Sequence, residues 1–226
     1  MPALERVEKL SEEEVSLVMG NLKKGKAPGL DMIGHRIWTY IHDFNKNILT
    51  TSFNVCFEYN YFPRPLRNAK IIFLQKYGND PEQCNEYRPV CLLPTIGKIL
   101  ERLFQMRFNK YLADNNILHE NQFGFREGRS CELAVYNITT KLKDNRGTQH
   151  SALVSLDINS AFDSMDWSVL FKTLDFYRIP NFYKNFIFYY RVNRKVVFND
   201  GHFHFVRYCS IGCPQGSAVA PTLWNI

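Results

Sequence analysis

The sequence predicts an α+β fold, in which amphipathic helices surround a few short strands. Apolar residues recur at helical spacing in several separate stretches of the chain. Two other regions, 68–93 and 195–208, are rich in β-branched and aromatic residues and each contains a turn signal. At 226 residues, with 45% hydrophobic and 22% charged residues, the chain can bury a core and is typical of globular proteins.

The first third of the chain is predicted to be mainly helical. Ser11 and Glu14 form a capping-box pattern, and the apolar residues behind them recur at helical spacing until Lys23-Lys24-Gly25. A second helix is predicted over 37–48, and the aromatic stretch 53–57 predicts either its continuation or a third helix.

Two strands are predicted next, over 68–76 and 87–93, with a turn at 77–81 between them. Pro89 lies within the second strand, which favours a position at the edge of a sheet or a bulge. A long amphipathic helix is predicted directly afterwards, over 96–112.

A short apolar run, Ala152–Leu156, predicts a buried strand that ends in a carboxylate, Asp157. An aspartate at the end of a strand is usually a turn former or the N-cap of the next helix. Because a buried, unpaired carboxylate is unfavourable, a bound cation is the other explanation for an acidic residue in this place. The run alone leaves both explanations open.

The other predicted elements alternate between helices and short loops. Ser130 is expected to cap a helix that runs through Leu142. The rest are a helix over 167–174, an aromatic helix over 182–190, a β-hairpin over 195–208 with its turn at 199–201, and a loop from 211 that leads into a final helix.

Composition and charge restrict the class of protein. The net charge of +6 suits a phosphate-rich partner. The six cysteines show no C-x-x-C spacing, so a zinc site is not expected, and reduced thiols indicate an intracellular protein, in the nucleus or the cytoplasm. The first residues are charged, which argues against a signal peptide, and no apolar run has the length that a membrane span needs.

Several motifs, taken together and in this order, resemble the reverse transcriptases of LINE-type (non-LTR) retrotransposons. Each motif alone is weak evidence, but their common order along nearly the whole chain is specific. They are Lys26-Ala-Pro-Gly-Leu-Asp31, Tyr87-Arg-Pro-Val-Cys-Leu-Leu93, Gly97-Lys-Ile-Leu-Glu101, Gln122-Phe-Gly-Phe-Arg126, Asp157 with Ala161-Phe-Asp163, and Pro214-Gln-Gly-Ser217.

The resemblance implies a right-hand polymerase fold and an RNA-directed DNA polymerase activity. Residues 1–150 would form the fingers with an N-terminal helical extension, and residues 151–226 would form part of the palm, without a thumb. The expected partners are a template RNA, a DNA primer and a dNTP, with an endonuclease domain possible elsewhere in a longer polyprotein. No membrane partner is expected.

Catalysis in this family is implied to use two Mg²⁺ ions, which activate the primer 3′-hydroxyl and stabilise the leaving pyrophosphate. Asp157 is similar to the first catalytic carboxylate and would bind Mg²⁺, and the backbone carbonyl of Ile158 is a second expected ligand. Phe162 matches the residue that excludes the 2′-hydroxyl of the incoming sugar. From its residue type alone, Phe162 would instead be a core side chain.

The resemblance also assigns contacts to the nucleotide and the nucleic acid. Lys76 and Arg88 match two cations that hold the triphosphate, although a solvated hairpin tip is the alternative. Gln215 and Gly216 match a loop that packs against the new base pair and the template. The expected nucleic-acid contacts are Arg126, Arg129 and Lys26, for which a solvated surface is the alternative.

The sequence also departs from the family pattern. It contains no Asp-Asp pair, whereas the family has an aromatic-Ala-Asp-Asp hairpin after the Pro-Gln-Gly motif. The chain is therefore expected to stop before this catalytic hairpin and to be inactive alone. The alternatives are a non-catalytic nucleic-acid-binding remnant and the product of a decayed element, and a group II intron maturase is the other enzyme considered.

Overall fold

A computed structural model describes residues 7–76, 82–83, 86–147 and 149–226. It contains both helices and a mixed sheet, which confirms the α+β class. The elements are α1 (Glu12–Gly20), α2 (His35–Phe44), α3 (Lys46–Glu58), a 3₁₀ turn (Arg64–Arg67), β1 (Ala69–Gln75), β2 (Tyr87–Leu92), α4 (Thr95–Asp114), α5 (Cys131–Asp144), α6 (Trp167–Phe176), α7 (Asn181–Arg191), β3 (Lys195–Asn199), β4 (His204–Tyr208) and α8 (Ala220–Trp224).

Side-chain caps explain where several helices begin. Ser11 accepts a hydrogen bond from the backbone of Glu14 and the Glu14 carboxylate accepts one from the Ser11 backbone, which confirms the capping box. Ser130 caps α5 as predicted. The single helix predicted over 37–48 is wrong, because Asn45 is extended and its side chain caps α3, so that the chain forms two helices there.

The four strands form one sheet in the order β2-β1-β3-β4. The predicted β1–β2 pair is antiparallel, with Pro89 opposite Phe73 on an edge strand of the described sheet. The hairpin of β3 and β4 is also confirmed. A parallel pairing of β1 with β3, at Ala69 and Val196, joins two regions that are distant in the sequence. The turn predicted at 77–81 lies outside the described residues.

The buried strand predicted over 152–156 is wrong. Residues 151–158 have no regular secondary structure, and Leu153 and Leu156 are 69% and 89% exposed. A strand needs a neighbour that accepts and donates its backbone hydrogen bonds. Within the described residues, none of the four strands of the sheet pairs with this segment, so its apolar character alone does not make it a strand.

The main core lies around α4, which runs through the middle of the helical part. Leu100, Leu103 and Phe108 are fully buried, and the ring of Phe104 stacks on Phe186 of α7 with 4.4 Å between centroids. This packing holds α4 against α7. None of the described helices combines the length and the hydropathy that a membrane span requires.

Candidate functional site

The loop 211–217, which contains the Pro-Gln-Gly-Ser motif, lies at the meeting point of several elements. Its Gln215 carbonyl accepts a hydrogen bond of 2.9 Å from the Cys91 amide of β2. Its Cys213 amide donates one of 2.7 Å to the Phe162 carbonyl. Three motifs that are far apart in the sequence are therefore brought together at this loop.

Asp163 and Gln215 are in direct contact at this meeting point. The Gln215 side-chain amide donates a hydrogen bond of 2.9 Å to an oxygen of the Asp163 carboxylate. Burial raises the pKa of Asp163, and the hydrogen bond from Gln215 opposes that effect only in part. Both residues line a cavity of about 290 Å³, together with Cys91, Arg207 and Cys209.

Gly216 is the residue that allows the loop to approach β2 so closely. Its φ is +116°, and an added Cβ would lie 2.7 Å from the Cys91 carbonyl oxygen. Any side chain at this position would meet backbone, which cannot turn away as a flexible side chain can. Gly216 therefore permits the close approach of the loop to β2 of the same chain.

A buried carboxylate supports the same loop from the other side. The Oε2 atom of Glu101 accepts hydrogen bonds of 2.7 Å from both the Ser217 hydroxyl and the Ala218 amide. Tyr190 donates a 2.8 Å hydrogen bond to the Ser217 hydroxyl. Glu101 and Ser217 are the last residues of two of the motifs, but neither motif indicates that these two side chains are in contact.

Phe162 occupies the margin of the core. It is half-buried and packs against Phe125 and Trp224, with 5.8 and 6.2 Å between ring centroids. The Phe162 side chain packs against the main core, and its backbone carbonyl accepts the hydrogen bond from Cys213 of the loop. The contacts agree with a packing role and leave the predicted nucleotide contact as a proposal.

Asp157 and Ile158 lie in the irregular segment and are exposed. Over the described parts of the chain, no three His, Cys, Asp or Glu side chains lie together as a metal site would require. Two Mg²⁺ ions need several carboxylate oxygens close to one another. The described residues therefore do not fit a complete two-metal site.

Lys76 and Arg88 lie at the same end of the β1–β2 pair. The Lys76 amide donates a hydrogen bond of 2.8 Å to the Glu86 carbonyl, and Arg88 stands opposite Leu74. Arg88 is exposed and Lys76 is half-buried. The structure thus places the two predicted cations at one end of the β1–β2 pair, and their contact with a triphosphate stays a prediction.

Arg126 and Arg129 are held by their own loop. Arg126 donates a 2.8 Å hydrogen bond to the His119 carbonyl, and the Arg129 guanidinium lies 5.2 Å from the centre of the Phe123 ring. Both side chains are half-buried.

Lys26 belongs to a group of cations near the start of α4. Burial lowers the pKa of Lys98, and the charges of Arg102 and Lys26 lower it further, against the attraction of Glu101. The loop that carries Lys26 is docked through Gly29, where an added Cβ would lie 2.5 Å from the backbone nitrogen of Pro94. The first motif is therefore anchored at the junction of β2 and α4.

Residues 74–226 match the family described as reverse transcriptase (RNA-dependent DNA polymerase), and the chain belongs to that family. Several of its relatives are proteins of non-LTR retrotransposons. The RNA-directed DNA polymerase from mobile element jockey of Drosophila melanogaster is 31% identical over 219 residues, which cover 95% of this chain and 24% of that protein.

Two further relatives agree with this assignment. The jockey polymerase of Drosophila funebris is 30% identical over 217 residues, covering 95% of this chain and 24% of its own length. The Retrovirus-related Pol polyprotein from type-1 retrotransposable element R1 of Bradysia coprophila is 28% identical over 226 residues, with 96% and 21% covered. The chain thus spans less than a quarter of the length of these relatives.

Proposed function

We propose that the chain is the fingers and part of the palm of an RNA-directed DNA polymerase that adds dNTPs to a DNA primer on an RNA template. The fingers would comprise residues 1–150 and the partial palm residues 151–226. The observation that carries the proposal is the convergence of three family motifs at one loop, where Gln215 contacts both Asp163 and β2. An endonuclease domain elsewhere in a longer polyprotein belongs to the same proposal.

The incoming nucleotide is proposed to lie between the end of the β1–β2 pair that carries Lys76 and Arg88 and the loop 211–217. Lys76 and Arg88 would contact the triphosphate, since charge-assisted hydrogen bonds to phosphate oxygens are the strongest contacts that these side chains make. Phe162 would limit the space beside the sugar, and Gln215 and Gly216 would face the new base pair. The placement of the two cations at one end of the β1–β2 pair supports this arrangement.

The nucleic acid is proposed to contact Arg126, Arg129 and Lys26. Each phosphate that a lysine or arginine neutralises releases a counterion, so the affinity should fall as the salt concentration rises. The net charge of +6 supports an anionic partner. The grouping of Lys26 with Lys98 and Arg102 supports one basic surface near the start of α4.

Asp157 is proposed to be one ligand of a Mg²⁺ site, with the Ile158 carbonyl beside it. Since no cluster of acidic side chains accompanies Asp157 in the part of the chain that the structure describes, the 226-residue chain on its own should not polymerise DNA. Mg²⁺-dependent dNTP incorporation by the purified chain, lost in Asp157→Asn, would show that the expected inactivity of the chain is wrong.

A test of the nucleotide site needs no polymerisation. A labelled RNA–DNA primer–template is titrated with the chain, with and without the dNTP that pairs with the next template base. The dNTP should tighten duplex binding, and Lys76→Ala and Arg88→Ala should remove that effect. Lys143→Ala, which removes an exposed cation of α5, is the matched control and should retain it.

The second candidate function is nucleic-acid binding without a nucleotide site. Asp157 is exposed, and among the described residues it belongs to no group of three or more side chains that could hold a metal ion, which favours this candidate. It predicts that the chain binds the duplex, that Asp157→Asn binds equally well, and that no dNTP changes the affinity. A dNTP effect that depends on Lys76 and Arg88 would exclude this second candidate.

A further inference from the structure

Glu101 occupies a position that packing alone does not explain. It is only 1% exposed, and its neighbours on α4, Leu100 and Leu103, belong to the main core. A glutamate is almost never fully buried unless it is paired, because removing the carboxylate from water is strongly unfavourable. An apolar side chain of similar volume would fill this place without that penalty.

Both hydrogen bonds to the carboxylate come from the loop that follows Gln215 and Gly216. The Ser217 hydroxyl and the Ala218 amide donate to the same oxygen, Oε2, each at 2.7 Å. Tyr190 donates to Ser217 at 2.8 Å, which leaves the Ser217 hydrogen for Glu101. The chain of donors therefore ends at the carboxylate, which must act as an acceptor.

Arg194 supplies the charge that compensates Glu101. It is 3% exposed, and its Nη2 atom lies 4.0 Å from Oε1 of Glu101. Its guanidinium also donates hydrogen bonds to the Tyr190 carbonyl and lies 4.2 Å from the centre of the Tyr190 ring. Burial raises the pKa of Glu101, whereas Arg194 and the hydrogen bonds from the loop oppose that increase.

The loop is consequently held from two sides. On one side Glu101 holds Ser217 and Ala218, and on the other the Gln215 carbonyl accepts from the Cys91 amide of β2. Gln215, at one attachment, and Gly216, between the two attachments, are the residues that the proposed function places against the nucleic acid.

We propose that Glu101 is a positioning residue, whose carboxylate fixes Ser217 and Ala218 and so sets the place of Gln215 and Gly216 beside Asp163 and β2. The placement of the loop is independent of the proposed function. Only its consequence for nucleic-acid binding rests on that function, because it assumes that the loop faces the duplex.

Amide hydrogen exchange tests this placement residue by residue. In Glu101→Met both acceptor oxygens are lost, so exchange at the amides of Cys91 and Ala218 should become about 10- to 100-fold faster, as expected for losing hydrogen bonds to a charged group. The amide of Phe108, in the core part of α4, should keep its rate. Glu101→Gln retains one acceptor oxygen and should restore most of the protection.

Ser217→Ala is the second variant, because it removes one donor and leaves the buried charges unchanged. It should also accelerate exchange at Cys91 without affecting Phe108, even if Glu101→Met does not fold. Unchanged exchange at Cys91 and Ala218 in the folded variants would overturn the inference. So would equal acceleration at Phe108, since that result means a general loss of stability.

A duplex titration of the same variants separates this inference from the proposed function. Glu101→Met should weaken binding of a labelled RNA–DNA duplex without changing its salt dependence, because no phosphate contact is removed. If the unchanged chain does not bind the duplex, the proposed function fails, while the exchange rates at Cys91 and Ala218 still decide the role of Glu101.

Discussion

Gly216→Ala is expected to destabilise the chain strongly, for two separate reasons. The φ of +116° is a conformation that residues with a Cβ rarely adopt, which costs about 1–2 kcal/mol. The new Cβ would also lie 2.7 Å from the Cys91 carbonyl oxygen, and relieving such an overlap costs about 1–3 kcal/mol. The expected loss in the free energy of unfolding is therefore about 2–5 kcal/mol.

Gly201→Ala is the matched control for the contribution of the backbone angle. Gly201 has a φ of +95°, but an added Cβ there would meet nothing within 4 Å. Urea unfolding of the unchanged chain and the two variants measures both losses. The excess loss in Gly216→Ala gives the cost of the close approach to β2. Equal losses in the two variants would refute the reasoning that the loop is pressed against Cys91.

Four further substitutions test other parts of the account. Gly29→Ala should cost about 1–3 kcal/mol in urea unfolding because its Cβ would meet backbone, whereas Gly20→Ala, with open space around it, should stabilise α1 by up to about 1 kcal/mol. Burial raises the pKa of Glu14, but the hydrogen bonds from Arg107 and the Ser11 backbone, with the charge of Arg107, lower that pKa by more. The stability that ionised Glu14 contributes should thus be present above its unfolded-state pKa and lost as the pH falls through its folded-state pKa. The difference in the free energy of unfolding between the unchanged chain and Glu14→Gln should therefore shrink in acid. Arg126→Ala should reduce the slope of log affinity for RNA against log salt by about 1 if it contacts one phosphate; an unchanged slope would exclude that contact.

Local signals predicted the elements whose causes are themselves local. The caps at Ser11 and Ser130 depend on residues three positions apart, and both are present. The β3–β4 hairpin follows from its turn residues and the flanking β-prone runs. The boundary at Asn45 was missed because its side-chain cap competes with a continuous apolar pattern, and periodicity alone does not decide that competition.

The run at 152–156 shows the limit of such signals most clearly. Its composition is typical of a buried strand, but burial requires a neighbouring strand, and none of the described strands pairs with it. The parallel β1–β3 pairing was missed for the same reason, since it depends on residues far apart in the chain.

The candidate site was predictable as a set of motifs but not as an arrangement. The resemblance assigned roles to Gln215, Gly216 and Phe162, and in the structure hydrogen bonds join the two segments that carry them, from Cys213 to Phe162 and from Gln215 to Asp163. The support from Glu101 and Arg194 could not be found, because buried charges resemble surface charges in a sequence. Whether Asp157 binds Mg²⁺ stays a prediction.

The most direct test of the central proposal is the equilibrium binding of a labelled RNA–DNA primer–template to the purified chain over a range of salt concentrations. A reverse transcriptase region with a basic nucleic-acid surface predicts binding at low salt, with an affinity that falls linearly on a log–log plot as salt is added. No binding at low salt, or binding that salt does not weaken, would contradict the proposal.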